Sequence, residues 1–416
     1  MKKSKIALAL MLVLSMLFAS SCETIAAVEL SAGYTRTSDD EGKVTDEFVD
    51  ALTSLSFSMF SEIVSEDEGN SNLLFSPLSA ALCIAMVTNG ADGETLLQLE
   101  DFFGMDIESL NRAIYAYISS LYTADDCSVS LANSIWVRNE RITVKESFLQ
   151  ANADWYGADA YSAPFDSSTV DDINKWCQDN TDGLIDKMLD EIEDEVVMIL
   201  INSLLFDAQW ETKYENSNIS ASENFTNYDG TTSKVTMMYS DENTYITYGD
   251  AAGIVKNYAG GEYSFAALLP SEGTDVYEFA KSLDSEAWEG IWENSVVTSV
   301  STVIPEFSYS YDIELINVMK ALGVTDIFDA ATSDLSNLGS STGGNLFVSR
   351  VEQKTYIEVS RNGTKAAAIT HAEVSDECAD VTEYIVRLDR PFVYAIVENE
   401  TGLPLFIGVY SCAEAE

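Results

Sequence analysis

"RNGTKAAAITHAEVSDECAD", residues 361–380, decides how the rest of this chain is read. It holds an Ala366-Ala367-Ala368 run, no apolar stripe, and the only histidine of the sequence, His371. Strand-like segments flank it: KTYIEV (354–359) before, and YIVRL (384–388) and PFVYAIV (391–397) after. Loops beyond about 12–15 residues are uncommon in compact domains and are usually functional or disordered. Alternate residues of a strand face opposite sides of a sheet. Split that way, one face is Thr364, Ala366, Ala368, Thr370 and Ala372, and every member is small. The other face, Gly363, Lys365, Ala367, Ile369, His371 and Glu373, is mixed and compatible with solvent. Extra bulk in a filled core costs about 1–3 kcal/mol per site. A face made only of small residues is therefore what a strand needs to slide between existing neighbours. The stretch is composed as a loop and patterned as a central strand.

Composition bounds the reading. With 416 residues, 46% of them hydrophobic and 11% aromatic, the chain can bury a large core. Its 69 acidic residues outweigh 22 basic ones, for a net charge of −47 spread along the sequence. Such a surface repels phosphate backbones and anionic lipid headgroups, which excludes nucleic acid as a partner.

The N-terminus reads as a targeting segment. Lys2, Lys3 and Lys5 precede the apolar run IALALMLVLSMLF (6–18), too short to span a bilayer comfortably. ASSC (19–22) resembles a bacterial lipobox, making 1–21 a signal peptide and Cys22 a lipid anchor; ordinary secretory cleavage nearby is the alternative. Either way the protein is expected outside the cell or on its surface, touching a membrane only through that lipid. Residues 22–45 read as a flexible polar tether and 46–412 as the folded domain. The remaining cysteines, 83, 127, 177, 378 and 412, are odd in number and include no CxxC pair, so neither a disulfide framework nor a zinc site is indicated. Cys83, in AALCIAM, reads as a buried apolar residue.

Along the chain, Phe48, Leu52, Leu55, Met59 and Ile63 repeat at helical spacing. SPLSAALCIAMVTNG (76–90) opens with Ser76 as N-cap and Pro77 at the first helical position, and stops at Asn89-Gly90. DDINKWCQDNTDGLIDKML (171–189) is a further helical pattern. VVMILINSLLF (196–206) favours a buried strand over a buried helix. SKVTMMY, YSFAALLP, TVIPEFSYSY and the pair FVYAIV/PLFIGV read as strands. Helices early and sheet late make an α+β domain.

Enzyme chemistry finds little support. Any nucleophile–histidine arrangement must use His371, in a segment with nothing to hold its ring. No Walker loop, dinucleotide fingerprint or HExxH is present, so no cofactor or metal is expected.

Several motifs, taken in order, resemble the serpin family. NLLFSPLSAALCIAM is similar to its N-terminal signature, which places Ser76 and Ser79 at the "shutter" beneath the main sheet. LANSIWV (131–137) and NKWCQDNTDGLI (174–185) resemble a sheet strand and the helix crossing that sheet. INSLLFDAQWETKY (201–214) resembles the strand carrying Asn202 and the "breach" tryptophan, Trp210. VTMM, IPEF, LGVTDIF and PFVYAIVENETGLPLFIGV follow at the family's spacings. The resemblance covers 46–412 and implies a serpin fold of a large mixed sheet, smaller sheets and about eight to nine helices.

The resemblance also implies a mechanism. The loop, about 361–383, is bait for a serine (or cysteine) protease; after cleavage its N-terminal part enters the main sheet as a new strand. The hinge is Gly363, Thr364, Ala366, Ala367 and Ala368. Arg361 and Asn362 depart from the usual acidic residues, Lys365 from glutamate, and Gln353 stands at a shutter position that is often histidine. Counting from Gly363 places the reactive bond at Glu377–Cys378, with a one-residue slip giving Asp376–Glu377 or Cys378–Ala379. The first suits acid-preferring proteases and the last elastase-like or subtilisin-like ones. A monomer is expected. A non-inhibitory carrier serpin would carry bulky or charged residues on the inward hinge face, and an exported hydrolase would need supported catalytic groups.

Overall fold

The computed structural model describes residues 27–67, 71–139, 141–185, 187–194, 196–364 and 384–413. Strands are numbered along the chain. A seven-stranded sheet runs β1 (Val28–Glu29), β5 (Asp159–Ala163), β3 (Cys127–Arg138), β6 (Met198–Gln209), β15 (Gly363–Thr364), β14 (Glu352–Ser360) and β12 (Phe307–Glu314). A nine-stranded sheet begins β16 (Tyr384–Arg387), β11 (Val296–Pro305), β8 (Thr232–Tyr248), β9 (Ala251–Asn257) and β10 (Tyr263–Leu269). It continues through β17 (Phe392–Glu398), β18 (Pro404–Tyr410) and β2 (Leu73–Phe75), with β7 (Ile219–Thr226) on β8. β4 (Ile142–Val144) and β13 (Gly339–Ser341) pair separately.

The early helices are α1 (Asp46–Glu66), α2 (Pro77–Thr88), α3 (Gly93–Phe103), α4 (Ile107–Ser120), α5 (Glu146–Tyr156) and α6 (Ser167–Asn180). Three short ones follow: α7 (Val276–Lys281), α8 (Ser285–Glu293) and α9 (Ile316–Ala321). The expected apolar face of α1 is buried, and Thr45 caps it by accepting from the Phe48 N–H at 3.2 Å. α2 starts as the sequence indicates, with Ser76 as N-cap and Pro77 next, and it is buried all round. Its neighbours are β6, β18 and α1, so it forms the floor under the main sheet. The α+β reading holds.

Two boundaries differ from expectation. The helical pattern of 171–189 ends at Asn180, because Asp182 and Gly183 turn the chain with φ of 50° and 78°. The Asn174 side chain then accepts from Met188 N and Leu189 N at 2.7 and 2.8 Å, folding this segment back over the sheet. Residues 27–45 are not a free tether. β1 pairs with β5, Ala27 N donates to the Asp172 carboxylate at 3.0 Å, and Thr37 N donates to Asp154 at 2.6 Å. The Arg36 guanidinium stacks 3.3 Å from the Tyr115 ring centroid and 5.1 Å from that of Trp155. Arg36 is a cation with two aromatic partners, and polarity of composition alone concealed that.

Candidate functional site

The chain from Arg361 onward enters the main sheet at Gly363–Thr364. β14 ends at Ser360, Arg361 and Asn362 make a two-residue turn, and Gly363–Thr364 run back as β15 between β14 and β6. Gly363 is required there. Its φ is +156°, and a Cβ would lie 2.0 Å from the Ala208 carbonyl oxygen. Thr364 is buried, opposite Val359 on one side and Ala208 on the other. Its hydroxyl is 2.5 Å from that of Tyr258. Burial raises the Tyr258 phenol well above its ordinary pKa, so it stays protonated and available for that bond.

Trp210 closes the top of the gap. Its indole stacks on Tyr258 with centroids 4.5 Å apart and 10° between planes, and its Nε1 donates to Ser360 O at 2.8 Å. Its backbone N–H donates to Asn362 O at 2.9 Å. Trp210 therefore holds both ends of the Arg361–Asn362 turn. Arg361, where acidic residues are usual, has a compensating partner: its N and Nε both meet Glu306 Oε1 at 3.1 Å. Glu306 lies between β11 and β12, which belong to different sheets; TVIPEFSYSY is thus two strands and not one.

Below Thr364 the sheet is open at its centre. Among the described residues no ladder joins β6 to β14; β15 alone bridges them. Leu204, Phe206, Thr355 and Ile357 line a narrow cavity there of about 20 Å³, overlaid by Thr181, Leu184 and Ile185. That volume holds roughly one water. Among the described residues the inner edges of these two long strands thus face each other without a ladder between them, a state that β-proteins ordinarily avoid.

At the foot of this gap, Gln353 and Ser76 are joined twice. Ser76 N donates to Gln353 Oε1 at 2.9 Å, and Gln353 Nε2 donates to Ser76 O at 2.8 Å. Ser76 Oγ donates to Leu405 O at 2.9 Å and accepts from Ser79 N at 3.4 Å. The side-chain amide of Gln353 thus has both its oxygen and its nitrogen engaged. Asn202 stands apart from this cluster. Its Nδ2 donates to Asn133 Oδ1 at 2.7 Å, while its own Oδ1 is buried without a partner.

The far end of the loop is anchored by β16, parallel to β11. Arg387 on β16 pairs with Glu223 on β7, which also accepts from the Tyr239 hydroxyl. Ala366, Ala367, Ala368, His371, Asp376, Glu377, Cys378, Ala379 and Cys22 lie outside the described residues. Sequence reasoning missed Tyr258, Glu306 and Glu223. Tyr258 follows a strand in VKNYAG, and no spacing connects it to residue 364.

The family model Serpin (serine protease inhibitor) matches residues 50–412. Serpin-Z2B of Triticum aestivum is 30% identical over 379 residues, 86% of this chain and 94% of that protein. Neuroserpin of Homo sapiens is 28% identical, covering 86% of this chain and 90% of that one. The native-state crystal structure of tengpin, a thermophilic serpin, superimposes with a TM-score of 0.88 at 40% identity, covering 93% of this chain and 99% of tengpin.

Proposed function

The chain belongs to the serpin family, and we propose that it is an inhibitor of serine endopeptidases that traps its target by inserting the cleaved loop into the main sheet. The observation that carries this reading is the open centre of that sheet with Thr364 already seated at its top. Continuing the register of β15 would bring Ala366 opposite Phe206 and Ile357, Ala368 opposite Leu204 and Thr355, and Thr370 opposite Asn202 and Gln353. Each arriving residue is small, so the new strand meets the filled core without overpacking it. Each also supplies backbone donors and acceptors to two strand edges that lack them.

The hairpin turn that insertion needs is already made at Arg361–Asn362, so the loop-closure entropy of that turn is spent before cleavage. Insertion then proceeds by adding pairs below Thr364, and the uncut protein is a kinetically trapped state. The protease remains attached as an acyl-enzyme and is carried along with the strand.

The protein is further proposed to act outside the cell, held at the surface by a lipid on Cys22, with acid-preferring or elastase-like proteases as targets. Mixing it with a panel of serine proteases tests the central claim. An SDS-stable complex of inhibitor and protease is expected, together with a small released C-terminal fragment. Cleavage without any stable complex, across the panel, overturns the inhibitor reading in favour of a carrier. Metabolic labelling with palmitate, compared with Cys22→Ser, tests the anchor.

A further inference from the structure

We infer that Lys256 is a positioning residue for the hinge, holding Trp210 in place and, through it, the seat of Thr364. This rests on the insertion reading above. Lys256 lies on β9 with only 2% of its side chain exposed, and its ammonium is 2.6 Å from Glu242 Oε1 on β8. The same ammonium sits 4.6 Å from the ring centroid of Tyr214 and 5.4 Å from that of Trp210. Both rings belong to the segment that continues β6 over the top of the gap. Tyr214 N donates to Arg361 O, and Trp210 holds Ser360 and Asn362. The cation is therefore wedged between two aromatic side chains whose backbones grip the hinge turn.

The contacts run on in both directions. Trp210 stacks on Tyr258, whose hydroxyl meets Thr364. In the other direction Glu242 Oε1 accepts from Ser240 Oγ at 2.6 Å, and Ser240 Oγ is 2.8 Å from Thr302 Oγ1. Thr302 is opposite Val386 in the β11–β16 pair. One continuous set of contacts thus joins the two points at which the loop leaves and rejoins the body, with the Lys256–Glu242 pair at its middle.

A buried ion pair is seldom retained for stability, because apolar residues of similar volume often serve as well or better. Its advantage is directional. An ammonium attracted at once by a carboxylate and by two ring faces fixes the positions of all three, whereas a methionine of similar length would fill the space and fix none.

Lys256→Met and Lys256→Arg separate this role from plain packing. The first readout is amide hydrogen exchange at Gly363–Thr364 in the uncleaved protein, which does not depend on inhibition. Exchange about tenfold faster in Lys256→Met, and close to the original in Lys256→Arg, is expected if the cation holds the hinge. The second is the amount of inhibitor consumed per protease trapped, expected to rise severalfold in Lys256→Met only. A folded Lys256→Met with unchanged exchange at the hinge overturns the inference, whatever the inhibition assay gives. If the unaltered protein traps no protease, the insertion reading fails while the exchange measurement still judges Lys256. If Lys256→Met does not fold, the nearly isosteric Glu242→Gln is read in its place. Faster exchange at the hinge supports the role, and unchanged exchange overturns it.

Discussion

The hydroxyls of Tyr258 and Thr364 lie 2.5 Å apart in the core, so the Gly363–Thr364 strand is fastened to the body of the domain. Thr364→Arg forces a charge into that position, and burying it unpaired is costly. We expect the variant to fold with its hinge expelled and to be cleaved without trapping the protease. Tyr258→Phe, which removes a single hydrogen bond, should cost about 0.5–1.5 kcal/mol of stability. Covalent complexes formed by Thr364→Arg at the original stoichiometry would rule out insertion as the trapping step.

Arg361 and Glu306 form a second fastening, at the turn itself. The pair is partly exposed, so its net contribution is set at about 0.5–1 kcal/mol. Glu306→Lys should destabilise the native protein by more than that, because it sets two cations together and strips the Arg361 N–H of its acceptor. The charge-exchanged double variant Glu306→Lys/Arg361→Glu should recover part of the loss in thermal unfolding. A strictly additive double-mutant cycle would show that the pair is not coupled.

Much of this was legible in the sequence because it rests on local pattern. Ser76-Pro77 signals a helix start through capping chemistry, and Gly363–Thr364, which begin the segment that parity reads as a strand, pair as β15. What was not legible depends on contacts between distant segments. Glu306 looks like a solvated acid inside one strand until the chain changes sheets around it. Asn202 reads as a shutter residue by motif, yet it bonds to Asn133, its directly opposite partner in the β3–β6 pair, while the Gln353 amide is engaged by the Ser76 backbone. Residues 27–45 look like a tether because their composition is polar, and Arg36 is held by rings on two different helices.

Arg36 supplies the next test. A guanidinium over an aromatic face contributes about 0.5–2 kcal/mol, most where solvent is excluded. Arg36 also donates to the backbone carbonyls of Asp40 and Asp154. Arg36→Ala should therefore lower the denaturation midpoint and free residues 27–45 for limited proteolysis, leaving the rest of the domain intact. Unchanged protease resistance of that segment would mean that β1 and Ala27 hold it unaided.

Glu223 gives a pH dependence with a defined sign. Hydrogen bonds from Tyr239, Ser220 and Arg387 lower its pKa from 4.5 to about 2. A carboxylate depressed on folding stabilises the native state fully above its unfolded value, and that stability is lost as pH falls through the folded one. The anchorage of β16 by Arg387 should thus be intact above about pH 4.5 and fade towards pH 2. Glu223→Gln should be less stable than the unaltered protein at pH 6, with the difference closing as pH falls towards 2. A difference that stays constant across this range would assign the effect to something other than ionisation of Glu223.

The bait residue can be read from the mass of one fragment. Counting from Gly363, which the structure fixes at the top of the gap, puts Glu377 before the reactive bond. A carboxylate in a basic specificity pocket makes a charge-assisted hydrogen bond that alanine cannot. Glu377→Ala should then slow association with acid-preferring proteases by tenfold or more, from about 1.5–3 kcal/mol for a hydrogen bond to a charged group. Elastase-like enzymes using Cys378–Ala379 should be barely affected. A released fragment beginning at Cys378 supports the first register, and one beginning at Ala379 moves the target to elastase-like enzymes. A fragment beginning before Val374 would be incompatible with both registers. Because Cys378 borders the bond in either register, thiol alkylation should slow trapping, and a reducing agent should not.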